Sequence, residues 1–275
     1  MVKRILTMVV AVMFMASAAF AATVGVVDVK EGLTVGVGYD NSESELDNAN
    51  VNILGNSIQS KGNTLDVERV YVEASHGVTE NFGVFAKVGE QQTEREGTIG
   101  KTGYALDVDD ALFFALGAEV EYQLTGEAAA EVEGACVSNA KNELLSNISL
   151  FGQYQYTQAN PDVDGIQIGN NSTSLFKGDL EISEHQFAAG LKKDVVVSED
   201  VSVTPYGGVL YTQTNIDANH SIVGLPVTAD FEQKDEISGF AGAELVYKKD
   251  YSVGGELQFG AQEGFGANLV AKVTF

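Results

Sequence analysis

The C-terminal segment, residues 265–275, alternates between apolar and small or polar side chains. Every second position is apolar, namely Phe265, Ala267, Leu269, Ala271, Val273 and Phe275. Most positions between them hold glycine, asparagine, lysine or threonine. A period of two is the repeat of a β-strand, whose successive side chains point to opposite faces. The segment therefore predicts a strand with one apolar face and one polar face.

Nine earlier segments show the same alternation and predict nine further strands. They lie near residues 33–39, 65–77, 82–88, 110–124, 146–157, 186–192, 201–212, 238–247 and 251–259. A strand of roughly nine to eleven residues crosses a bilayer when it is tilted. Short turns are predicted at 79–81, 198–200, 248–250 and 262–264, and long polar loops at most other connections.

The N-terminus has the features of a secretory signal peptide. Lys3 and Arg4 precede an apolar run from Ile5 to Met15, and Ala19-Phe20-Ala21 is an A-x-A cleavage site. The run is shorter than the roughly 20 residues of a membrane-spanning helix. We therefore predict a signal peptide over residues 1–21 and one mature domain over residues 22–275.

Composition excludes some functions. A formal net charge of −23 argues against nucleic-acid binding, because that function needs basic patches to neutralise phosphates. The single cysteine, Cys136, excludes an intramolecular disulfide bond. No motif in the sequence predicts a cofactor.

An exported chain of alternating strands predicts a closed, antiparallel, up-and-down transmembrane β-barrel. An open sheet edge in hydrocarbon would leave unpaired backbone groups, each costing several kcal/mol. Ten strands are predicted, with eight as the alternative if one hairpin is misassigned. A soluble barrel or a β-sandwich also alternates, but the signal peptide and the small residues on the polar faces favour the membrane barrel. An even strand number would place both termini in the periplasm.

Three segments, 70–88, 240–259 and 265–275, resemble those of a known class of membrane protein. With their short turns and the terminal aromatic residue, they are similar to small bacterial outer-membrane β-barrels of the OmpA/OmpX-type and OmpW-like group. The resemblance implies outer-membrane lipid as the surroundings, and periplasmic chaperones and the barrel-insertion machinery as partners. It also implies that the terminal strand is the insertion signal, carried by Phe265, Leu269, Val273 and Phe275.

Charged residues on the polar faces are predicted to line the barrel interior. They are Arg69, Glu73, Lys87, Glu119, Glu121, Lys192, Glu244, Glu256 and Lys272. In one interpretation they form a polar pathway that prefers cations, because glutamates outnumber lysines and arginines. In the other, the glutamates pair with the basic residues and fill an interior only just wide enough for side chains. We favour the filled interior and expect an outer-membrane protein with a structural or surface-interaction role, exerted through acidic external loops. A small pore is the alternative.

Enzymatic and metal-binding functions receive weaker support. Some ten-stranded outer-membrane barrels are proteases with an Asp–His pair at the external rim. The rim candidates of this chain are Asp107, Asp109, Asp110, Asp217 and His220. The spacing between Asp217 and His220 differs from that of the proteases, so no enzymatic activity is expected. Weak calcium binding is a hypothesis for Asp107, Asp109, Asp110, Asp162 and Asp164, because carboxylate oxygens are calcium ligands.

Overall fold

A computed structural model describes residues 32–46, 49–53, 56–99, 101–124, 148–169, 171–174, 176–222, 225–232, 236–260 and 265–275. These residues form β-strands joined by turns, and no α-helix occurs among them. The strands are β1 (Gly32–Leu46), β2 (Ala49–Ile53), β3 (Asn56–Thr79), β4 (Phe82–Ile99), β5 (Thr102–Val108), β6 (Ala111–Gln123), β7 (Ile148–Ala159), β8 (Asp162–Ile168), β9 (Asn171–Thr173), β10 (Phe176–Lys193), β11 (Val195–Ser198), β12 (Val201–Ile222), β13 (Leu225–Glu232), β14 (Glu236–Tyr247), β15 (Tyr251–Gly260) and β16 (Phe265–Thr274).

Ten of these strands form a closed antiparallel ring. Its order is β1-β3-β4-β6-β7-β10-β12-β14-β15-β16, and β16 pairs with β1 from Thr34↔Thr274 to Ser42↔Gly266. The described part of each predicted strand segment lies mainly in one member of this ring. The ten-stranded barrel is thereby confirmed, and the eight-stranded alternative is wrong.

The strands continue beyond this ring and form a second, narrower one. At one end of the barrel, β13 pairs with β2 beyond the end of the shorter hairpin that β15 and β16 form. The β5 and β8 strands continue β6 and β7 in almost the same register. The second ring therefore has eight members, β2-β3-β4-β5-β8-β10-β12-β13. We call it the extension.

The extension corrects the predicted loops. Residues 40–63 and 158–183 were expected to be mainly polar loops, but their described parts are largely strands. Apolar and polar side chains still alternate along these strands, but here the apolar ones face inward. In β3, Leu65 is 3% exposed and faces inward, whereas Val70 is 62% exposed and faces outward. The apolar side chains therefore lie on the inner face of the extension and on the outer face of the ten-stranded ring.

An apolar outer surface surrounds the ten-stranded ring. Its outward side chains are exposed aliphatic and aromatic residues on the first nine strands of the ring and at Phe275, directly after the tenth. Among them are Val37, Val72, Val88, Leu116, Leu150, Leu191, Val209, Tyr247 and Leu257. Exposed apolar patches of this extent are rare on soluble proteins. A closed ring with an apolar exterior and a polar interior is the arrangement of a transmembrane β-barrel. The soluble barrel and the sandwich are thereby excluded.

Glycine makes room for the large interior aromatic residues. Tyr71 lies directly across from Gly38 on β1 and from Gly89 on β4, and a Cβ atom at either glycine would collide with it or with its strand. In the same way, Tyr206 covers Gly242 on the neighbouring strand. Aromatic residues that cover cross-strand glycines fix the register of curved sheets. Part of the high glycine content of the chain is explained by these pairs.

Several predictions fall on residues outside the described ranges. They are the signal peptide (1–21), the connection between the fourth and fifth predicted strands (125–145), which contains Cys136, and the tight turn near 262–264. The predicted turns at 79–81, 198–200 and 248–250 lie in the described part and join adjacent strands there.

Candidate functional site

The interior of the ten-stranded ring, which we call the lumen, contains the predicted charged residues. Eight of the nine are less than a tenth exposed, and the Glu121 side chain is 22% exposed. Each lies on a strand position that alternates with the apolar outer surface. The structure therefore places these residues together inside the barrel, where a charge needs a partner.

Three clusters of ion pairs hold most of these charges. Glu73 lies between Lys272, at 3.2 Å, and Lys87, at 3.9 Å. Lys192 lies between Glu121, at 2.8 Å, and Glu119, at 3.5 Å.

In the third cluster, Arg69 lies 3.8 Å from Asp40 and 3.6 Å from Glu184, and its Nε donates a hydrogen bond to Gln91. Sequence reasoning did not identify Asp40 and Glu184. Asp40 faces Arg69 directly across β1 and β3. Extending the strand alternation by one or two residues would have found both carboxylates.

Aromatic rings occupy much of the remaining lumen. The Lys87 ammonium lies 5.1 Å from the centre of the Tyr71 ring and 5.4 Å from that of Phe85. The Arg69 guanidinium lies 5.4 Å from the Phe113 ring. Cation–π contacts of this length stabilise desolvated cations. Charges and rings therefore pack against each other across the barrel.

Buried acids outnumber buried bases in the lumen. Six carboxylates face four cations, the acids being Asp40, Glu73, Glu119, Glu184, Glu244 and Glu256, and the bases Arg69, Lys87, Lys192 and Lys272. The excess is two carboxylates. The lumen is therefore acidic as well as densely filled.

An apolar core lies inside the extension. Its ten buried residues come from six strands and are Leu46, Leu65, Val67, Tyr104, Leu106, Val163, Leu180, Ile182, Ile216 and Ala218. Leu180 and Ile216 have no exposed surface. The core lies across the bore of the barrel where the lumen leaves the ten-stranded ring.

A buried polar cluster lies next to this core. The Tyr104 hydroxyl donates to Asn63 Oδ1 at 3.0 Å and accepts from Arg95 Nη2 at 3.3 Å. Ser60 also donates to Asn63, at 2.6 Å. Hydrogen bonds of this kind satisfy polar groups that would otherwise be costly to bury.

The outer face of the extension is acidic. Glu43, Asp66 and Glu94 are opposite one another on three adjacent strands, and Glu181 and Asp217 form a second pair of opposed acids. Like charges directly opposite each other destabilise a sheet. Partial burial, followed by the charges of Glu43, Glu94 and Glu96, raises the pKa of Asp66 to about 6.

Asp66→Asn is expected to stabilise the protein above pH 6 and to have little effect near pH 4. Because the folded-state pKa of Asp66 lies above its ordinary value of 3.8, the folded state binds more protons between these values. The free energy of unfolding of the wild type should therefore fall as pH rises from about 4 to about 6, and then level off. Urea unfolding in detergent at a series of pH values measures this contribution.

The matched control is Glu90→Gln, which removes the same charge. Glu90 faces Val70 and Leu112 rather than acids. An equal pH dependence of the Glu90→Gln and Asp66→Asn effects would contradict the assignment to Asp66.

The rim and calcium candidates are close in the fold but form no closed site. The Asp109 amide donates to the Asp162 carbonyl, Asp164 pairs with Lys177 at 3.2 Å, and Asp110 accepts a hydrogen bond from Gln92. Among the described residues, no group of three His, Cys, Asp or Glu side chains is placed to hold a metal ion. Calcium binding there stays a hypothesis.

The Asp–His pair of a protease is not assembled by the described residues. Asp217 is exposed on the outer face of β12, across from Glu181 and Asp230. His220 is in the same strand, and its side chain is outside the described part of the chain.

The terminal strand has the predicted alternation. Phe275 is 80% exposed at the end of β16, and Leu269 and Val273 are partly exposed on the outer face. The side chain of Phe265 is outside the described part. The function of these residues as an insertion signal stays a prediction.

The described residues include no helix that is long and apolar enough to span a membrane. No protein-family model matches the sequence, and no curated protein matches it either. Solved structures do match its fold. The outer membrane protease OmpT from Escherichia coli is 10% identical, with a TM-score of 0.50 over 92% of this chain and 100% of that one.

Two further structures are similar to a lesser degree. The translocator domain of the autotransporter NalP from Neisseria meningitidis is 10% identical over 90% of this chain and 89% of its own, with a TM-score of 0.46. The outer membrane protein OprG from Pseudomonas aeruginosa is 11% identical over 88% and 96%, with a TM-score of 0.43. At such identities a likeness shows the fold alone. This chain is a ten-stranded transmembrane β-barrel with the fold of bacterial outer-membrane proteins.

Proposed function

We propose that this protein is a closed outer-membrane barrel that presents its acidic extension at the cell surface, in a structural or surface-interaction role. The observation that carries the proposal is the apolar core of the extension. Side chains from six strands meet there with less than a tenth of their surface exposed. Water and ions do not cross a layer of close-packed apolar side chains.

The orientation that we propose places the extension outside the cell and both termini in the periplasm. Thr34 pairs with Thr274, so β1 begins and β16 ends at the same end of the barrel, opposite to the extension. The turns at 79–81 and 248–250 are short and lie at that end as well. Short periplasmic turns and long external segments are usual for outer-membrane barrels. Insertion would depend on periplasmic chaperones and on the barrel-insertion machinery.

A small cation-preferring pore is the second candidate. The side-chain amide of Gln153 is buried in the lumen, and neither its nitrogen nor its oxygen has a hydrogen-bond partner. Together with the excess of carboxylates, this amide offers polar surface to water or to a cation. The apolar core of the extension opposes a continuous pathway, so we favour the closed barrel.

An enzymatic role receives less support. The outer membrane protease OmpT shares the fold at 10% identity, but the spacing between Asp217 and His220 in this chain differs from that of the outer-membrane proteases. We therefore propose a non-enzymatic function. Cleavage of a fluorogenic peptide library by the folded protein, and not by the unfolded one, would refute it.

Conductance in planar bilayers tests the closed barrel. The folded protein is expected to give no steady conductance above background. Migration on gels before and after boiling provides the control that the inserted protein is folded, because closed barrels migrate differently in the two states. Steady, cation-selective conductance steps from protein with the gel mobility of the folded barrel would refute the closed barrel and support the pore.

A further inference from the structure

A groove crosses the outer face of the extension. It consists of two adjoining depressions of about 430 and 450 Å³, which share Ala105 and Gln167. The first lies over β3, β4, β5 and β8, and the second over β5, β8 and β9. Five strands spaced by about 4.8 Å give the groove a length of roughly 19 Å, which is the length of about six residues of extended chain.

Small residues form most of the groove surface. Gly97 leaves space for Tyr104, and Gly169 has a φ of 58°, so packing or backbone conformation explains these two glycines. Neither reason applies to Gly103. A Cβ atom at Gly103 would come no closer than 3.9 Å to any heavy atom, the nearest being the Gly97 carbonyl oxygen. The fold therefore does not require glycine at residue 103. The absence of a side chain there keeps the groove floor open without serving the packing of the barrel.

Because Gly103 leaves the floor of the groove without a side chain, the backbone of a ligand can approach the sheet closely. Glycine in a strand interior weakens the strand, and it often marks a place where another backbone or a ligand lies against it. The Thr98 hydroxyl and the Gln167 amide, which donate to the Lys61 and Gly169 carbonyl oxygens, can still accept a hydrogen bond from a peptide N–H through their oxygen atoms. Ser172 adds a further hydroxyl to the groove.

The charge of the groove selects a cation. Glu96 lines one depression, and Asp107 and Asp164 line the other. The only salt bridge recorded for these three residues in the described part of the chain joins Asp164 to Lys177, whose side chains are 55% and 65% exposed. Exposed pairs of this kind contribute little, so a ligand cation can replace Lys177. Acidic residues over the whole extension would also raise the association rate of a cation.

We propose that this groove binds an extended cationic peptide segment, which lies across the five strands with its basic side chains at Glu96, Asp107 and Asp164. The proposal rests on the surface-interaction role proposed above and names the class of partner. Its site is separate from the lumen, so binding does not depend on whether the lumen conducts.

Binding of a fluorescent six-residue peptide of alternating lysine and alanine to the folded protein in nanodiscs tests the proposal. Gly103→Leu fills the groove floor where the fold has room, and it should weaken binding at least tenfold without changing the heat-dependent gel mobility. The double variant Asp107→Asn/Asp164→Asn should have a similar effect. The control Glu181→Gln/Asp217→Asn removes two charges from another part of the extension and should change binding less than twofold.

Three outcomes would overturn the proposal. Equal weakening by the control and by the groove variants would show diffuse attraction to an acidic surface. Equal binding of spermidine and peptide, both lost in Gly103→Leu, would assign the groove to a polyamine. Full affinity in Gly103→Leu would show that the groove is not the site. If conductance showed an open lumen while groove binding held, only the closed-barrel proposal would fail.

Discussion

Lys192→Met is expected to lower the free energy of unfolding by about 3–5 kcal/mol, because it removes one partner of a buried ion-pair cluster. The Lys192 ammonium is within 3.5 Å of carboxylate oxygens of both Glu119 and Glu121, and Glu119 has no exposed surface. Methionine keeps most of the side-chain volume but leaves these carboxylates without that cation. Reversible urea unfolding in lipid vesicles measures the loss.

Two further variants separate lost pairing from lost packing. Adding Glu119→Gln to Lys192→Met should recover part of the stability, because the neutral amide needs no counter-ion. Lys177→Met, which breaks the exposed pair with Asp164, should cost less than about 1 kcal/mol. If the two single lysine variants lost equal stability, the lumen ion pairs would not be the stabilising elements that we describe.

Ile216→Ala is expected to destabilise the extension by about 2–5 kcal/mol and to have much less effect on the ten-stranded ring. Ile216 is fully buried in the apolar core, and truncation leaves a cavity among Leu180, Ile182 and their neighbours. Limited proteolysis of membrane-inserted protein should cut the extension of the variant sooner, while the heat-dependent gel mobility of the barrel persists.

Ile237→Ala is the matched control for this core variant. Ile237 is 65% exposed on the outer surface, so its truncation leaves no internal cavity. Equal protease sensitivity of the two variants would contradict an independently packed core. Loss of the gel shift in Ile216→Ala would show instead that extension and ring unfold as one unit.

The sequence predicted the ten-stranded ring well because its alternation has a constant sense. Val35, Val37, Val70 and Val72 mark the lipid-facing side from strand to strand. The extension was missed because its apolar residues, such as Leu65, occupy the opposite face. A search for one continuous apolar face follows a strand only to the point where the apolar side chains change from the outer to the inner face. Beyond it, polar outward residues such as Asp66 look like loop composition.

The inward position of the lumen charges could also be predicted, since each alternates along its strand with outward apolar residues. Their partners were harder to predict. Which acid reaches Arg69 depends on barrel tilt and on the side chains of strands distant in sequence, as with Glu184. The groove could not be predicted at all, because Thr64, Gly103 and Thr173 come together only when the hairpins pack side by side.

The change from ten strands to eight has a geometrical consequence. Barrel diameter grows roughly in proportion to strand number, so the extension has about two-thirds of the cross-section of the ring below it. Because β15 and β16 end early, β13 and β2, which continue the neighbouring strands β14 and β1, pair directly. An eight-stranded bore is just wide enough for side chains to fill. Within the described part of the chain, the fall in strand number alone therefore brings the barrel to a width that side chains can fill.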